Sequence, residues 1–76
     1  MTTMNEPLVI ELLEIVGAEI RLFDRLLEWV QQEQRAIIAD DREGLETSVA
    51  AQQQAAQEAQ RLEVRRRQVV EGLSRR

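Results

Sequence analysis

Between Leu8 and Ile38, apolar residues recur at alternating steps of four and three. They are Val9, Leu13, Val16, Ile20, Phe23, Leu27, Val30, Gln34 and Ile37, with Gln34 the one polar member. Such spacing places a continuous apolar row along one side of a helix, where a second helix can cover it. A second row runs beside it through Leu8, Leu12, Ile15, Glu19, Leu22, Leu26, Trp29 and Glu33. Two adjacent rows span about half the helix circumference, more than one neighbouring helix can hide. A helix of this kind must touch at least two others.

The start and stop signals give two long helices. Asn5 or Glu6 can cap the first, Pro7 fits a first-turn position where its missing N–H costs nothing, and residues 1–4 read as a frayed terminus. The first helix is expected over about 7–39 and the second over about 42–74, with a turn at 40–41. Either Asp40, with Glu43 three residues on as a capping box, or Asp41 can cap the second helix. So short a connection forces the two helices antiparallel. The predicted fold is therefore all-α, a single helical-hairpin domain over 1–76. It would complete a four-helix or coiled-coil bundle by dimerisation or with partner helices.

The second helix is poorer in bulk. Its row at the same spacing is Leu45, Val49, Gln52, Ala56, Ala59, Glu63, Arg66, Val70 and Leu73. Folding about 40–41 brings Leu27 towards Ala56 and Phe23 towards Ala59, so large side chains would face small ones. On this reading the row through Phe23 and Leu27 faces the return helix. The row from Leu8 to Trp29 then stays in water, in a strip longer than a monomer usually exposes. The expected partner-binding residues are Leu8, Leu12, Ile15, Leu22, Leu26, Trp29, Leu62 and Val69. Trp29 belongs to the residue type most enriched at binding hot spots.

Charge sharpens the picture. Residues 1–46 hold eleven acids and four Arg, whereas residues 61–76 hold six Arg and two Glu. The hairpin sets the basic end of the second helix beside the acidic start of the first. Glu19 and Arg66, both in otherwise apolar rows, form the expected ion pair, one that fixes register more than it adds stability. Arg65–Arg67 with Arg75 and Arg76 could touch nucleic acid. However, the net charge is −4, and no aromatic residue is interleaved for base stacking. No nucleic-acid partner is expected.

The remaining chemistry is sparse. Of 76 residues none is Cys or His, which removes thiolate chemistry, the usual general base and the commonest transition-metal ligand. Inward carboxylates of helical bundles hold metals together with His, so Glu11 and Glu14 read as solvated. No catalytic residue, metal or cofactor is expected. No run approaches the roughly 20 apolar residues that span a bilayer, and Glu11 and Glu14 break the apolar start, so neither membrane insertion nor export is expected. The expected location is cytoplasmic.

At the turn, Glu33-Gln34-Arg35-Ala36-Ile37-Ile38-Ala39-Asp40-Asp41-Arg42-Glu43-Gly44-Leu45 resembles the E-x-x-A-L-x-x-x-D-x-x-x-L turn of the FlgN-type flagellar export chaperones. Leu62-Glu63 with Arg66 is similar to the L-E-x-x-R that closes that family's second helix. The resemblance spans residues 8–70 and lacks the later segment that members usually carry. Arg42 stands where the family often has Leu, and Gln52 where it often has a basic residue. The resemblance implies a non-enzymatic, cytoplasmic chaperone of flagellar type III export. It would hold hook–filament junction proteins by helix-on-helix contact with their helical ends. The residues themselves equally allow a homodimeric coiled-coil scaffold or adaptor without export cargo.

Overall fold

A computed structural model describes residues 6–75 as two antiparallel helices, α1 (Glu6–Ile38) and α2 (Arg42–Ser74), joined by a three-residue turn. The expected cap at Asn5 lies outside the described residues. Each helix has 33 residues, about 50 Å at 1.5 Å per residue. The hairpin measures 59 × 18 × 12 Å, a ribbon one helix thick.

The turn is closed by backbone geometry. Asp40 takes the left-handed conformation, with φ of 54°. The Asp41 N–H donates to the Ala36 carbonyl at 2.8 Å and the Asp40 N–H to the Ile37 carbonyl at 3.2 Å. These are the two reversed bonds of a Schellman ending, which satisfy carbonyls left free at the end of α1. Asp41 then caps α2: its side chain accepts from the Gly44 N–H at 3.0 Å. Gly44 has no Cβ, which would otherwise lie against that curled carboxylate. Of the two caps the sequence allows, Asp41 is the one used, because Asp40 is occupied in reversing the chain.

The seam between the helices reverses the expected assignment of the two rows. Buried between α1 and α2 are Ile15, Leu22 and Ala36 from one side and Ser48, Ala55 and Val69 from the other. Leu8, Leu12, Leu26 and Trp29 of the same α1 row, and Leu62 of α2, are half-buried. Thus the row expected in water is the one that holds the hairpin. The row expected inside is exposed: Leu13 keeps 69% of its surface, Phe23 67% and Leu27 58%.

The reason is polar complementarity. The inner row carries Glu19 and Glu33, and each finds a partner on α2: Glu19 meets Arg66, and Glu33 accepts from the Gln52 amide at 2.7 Å. A row interrupted by carboxylates can face inward when the opposite helix supplies donors at the same heights. Ser48 and Ala55 supply the small side chains that let Leu22 and Trp29 approach. The Ser48 hydroxyl satisfies itself on the Gly44 carbonyl of its own helix at 2.8 Å.

Candidate protein-binding face

α1 therefore turns a bulky apolar row outward. Val9, Leu13, Val16, Ile20, Phe23, Leu27 and Ile37 are all exposed, and Val30 is half-buried at the same spacing. They lie on one side because the spacing repeats every seven residues, close to two helical turns. Ile10 and Ile38 extend this strip near its two ends, Ile38 with 87% of its surface in water. A strip of this length is not the scattered apolar exposure normal for a surface, which makes it the candidate contact face.

α2 contributes the other half of the same face. Phe23 lines an open groove of about 480 Å³ together with Leu26, Ala55, Ala56, Ala59 and the Glu19–Arg66 pair. The groove exists because three alanines on α2 stand beside large side chains on α1, leaving a trough with a greasy wall. Val49 and Val70, seven residues either side of Ala56 and Glu63, continue this side of α2 and are also exposed. Such a trough accepts an apolar side chain projecting from another helix.

Charged groups frame the hairpin and do not enter the row. Arg66 Nε lies 3.1 Å from one Glu19 carboxylate oxygen and donates to the other at 3.3 Å, at the edge of the groove. Nearer the open end, Arg65 donates from Nε and Nη2 to both oxygens of Glu11, a forked pair across the helices. That hydrogen bonding holds the Glu11 carboxyl below, and the Arg65 guanidinium above, their ordinary values. Arg67 and Arg75 pair along α2 with Glu63 and Glu71 one turn earlier. The arginines that could suggest a nucleic-acid surface are thus largely engaged with carboxylates.

All eight residues expected to bind a partner are accounted for. Ile15, Leu22 and Val69 are buried between the helices, and Leu8, Leu12, Leu26, Trp29 and Leu62 are half-buried there. They are brought together as the seam of the hairpin, where Ile15 and Val69 are closed off between the helices while Leu22 and Leu26 also line the groove. Phe23, Leu27, Ile20 and Leu13 take their place on the open surface. The signal that could have found this is the Glu19–Arg66 pair: it forms only when the row containing Glu19 faces α2.

Among the described residues, no three His, Cys, Asp or Glu side chains are grouped to hold a metal ion. No described helix is long and apolar enough to cross a membrane. In comparisons with known proteins, the family model described as FlgN protein matches residues 1–76. No curated protein and no solved structure matches the chain.

Proposed function

Because the chain belongs to the FlgN family, we propose that it is a cytoplasmic chaperone of flagellar type III export that holds the helical ends of hook–filament junction proteins until they are secreted. One observation carries this reading: the folded hairpin leaves the bulkiest apolar row of α1 in water, beside an alanine-floored groove. An amphipathic helix from a cargo protein fits such a surface, its large side chains seated in the trough and against Phe23 and Leu27. The chemistry asked of the chain is binding alone. Junction-protein ends that are apolar on one face are kept from one another while they wait.

The proposed contact residues are Leu13, Ile20, Phe23 and Leu27, with Ala56 and Ala59 as the groove floor. The inner row serves this function indirectly by setting the distance between α1 and α2. The test is titration of the purified chain with synthetic C-terminal helices of junction proteins, followed by calorimetry. Binding that is lost in Phe23→Glu and kept in Arg21→Ala is the expected result. Saturable binding that ignores Phe23→Glu, or no binding to any junction-protein helix, would remove the reading.

A further inference from the structure

We propose that a second copy of this chain covers the exposed row of α1, with the two α1 helices antiparallel and related by a two-fold axis at Phe23. The row reads nearly the same in both directions. Counting inward from its ends, Val9 matches Ile37, Val16 matches Val30, Ile20 matches Leu27, and Phe23 matches itself. A two-fold interface is self-complementary, with each residue of one copy meeting its counterpart on the other, and a palindromic row satisfies that condition. Leu13 against Gln34 is the one mismatch.

Two further features agree with this register. Ile10 and Ile38 are both exposed and sit at opposite ends of the strip, so antiparallel pairing brings Ile10 of one copy beside Ile38 of the other. In a parallel pair each would meet itself, and the far ends of the row would gain nothing from one another. Finally, the area is sufficient. The row from Val9 to Ile37 runs about 42 Å, and across the 18 Å width of the hairpin it offers on the order of 750 Å² per copy, near the roughly 800 Å² per partner of stable pairs.

The paired hairpins make a four-helix arrangement with the α1 helices at its centre. Phe23 of each copy stands over the alanine groove of the other, filling the trough that a lone hairpin leaves open. If the same row also receives cargo, self-pairing and cargo binding exclude one another. That competition, though not the dimer itself, rests on the chaperone reading.

Sedimentation equilibrium from micromolar to millimolar concentration tests the dimer without any cargo. The expected result is a reversible monomer–dimer equilibrium whose dissociation constant rises about 30-fold or more in Phe23→Glu, with helicity retained. Spin labels test the register, since the chain has no cysteine of its own. Labels at Arg35→Cys should lie about 40 Å apart in the antiparallel pair, against about 20 Å in a parallel one. A helical monomer at every concentration overturns the proposal, and so does the short distance at Arg35→Cys. A monomer that nevertheless binds junction-protein helices overturns the dimer and leaves the chaperone reading standing. A dimer that none of those helices dissociates has the opposite meaning.

Discussion

Glu19 and Arg66 meet across the hairpin at 3.1 Å, one from the inner row of α1 and the other from the basic stretch of α2. Their side chains retain 20% and 37% of their surfaces, so the pair is half out of water. Removing one member leaves the other without its counter-charge at a partly desolvated site. Arg66→Ala is expected to cost about 1 kcal/mol, read from urea unfolding followed by circular dichroism. Replacing both by Leu should restore or exceed the original stability, since a paired charge offers little over a packed apolar contact. A double variant weaker than Arg66→Ala alone would show that the pair stabilises the hairpin beyond setting its register.

The exchange of rows gives a second contrast. Leu22 is buried and Leu27 is mostly in water, one on each side of the same helix. Leu22→Ala should destabilise the hairpin by about 2–4 kcal/mol, because Ala55 opposite is too small to fill the space. Leu27→Asp, measured at concentrations too low for self-association, should leave helicity and melting nearly unchanged. Equal losses in thermal melts of the two variants would mean that both rows face inward.

At the turn, Asp40 holds a backbone conformation that costs a residue with a Cβ roughly 1 kcal/mol or more. Asp40→Gly should stabilise the hairpin by about 0.5–1 kcal/mol, the relief being partly offset by the greater freedom of Gly when unfolded. Asp41→Ala, one residue on, should instead cost about 1 kcal/mol through loss of the Gly44 N–H cap. The opposite signs of two adjacent Asp substitutions, seen in melting temperature, check the assignment.

The Glu11–Arg65 pair sets a pH dependence. Its hydrogen bonds lower the folded pKa of Glu11, so the folded state binds protons less readily than the unfolded chain. The contribution is therefore full above the ordinary carboxylate value and is lost as pH falls through the depressed one. Wild type should melt above Glu11→Gln at neutral pH, and the two should converge in strong acid. Both groups face solvent, so the difference should be small and should shrink in high salt. A gap that persists in strong acid would assign it to packing.

The hairpin was legible because its signals are local. Heptad spacing, Pro7 near the start and the acidic pair Asp40-Asp41 at the reversal each act within a turn or two of helix. The Glu19–Arg66 pair was legible too, since two charges in apolar rows at matching heights have few other places to go. Which row faces α2 does not follow from apolar content, for a physical reason. Apolar content ranks how strongly a row avoids water, whereas the seam inside a hairpin is chosen by fit to the opposite helix. There Gln52 and Arg66 answer Glu33 and Glu19, and Ser48 and Ala55 make room for Leu22 and Trp29. The row through Phe23 is more hydrophobic and finds no such answer on α2.

On the proposed function, folding and recognition occupy separate stripes of one rod. The stripe that closes the molecule is hemmed in by carboxylates and small residues that tolerate few replacements. The exposed stripe bears almost no duty to the scaffold beneath it. Selection can reshape the latter, residue by residue, towards new clients or a new pairing strength while the hairpin underneath stays the same.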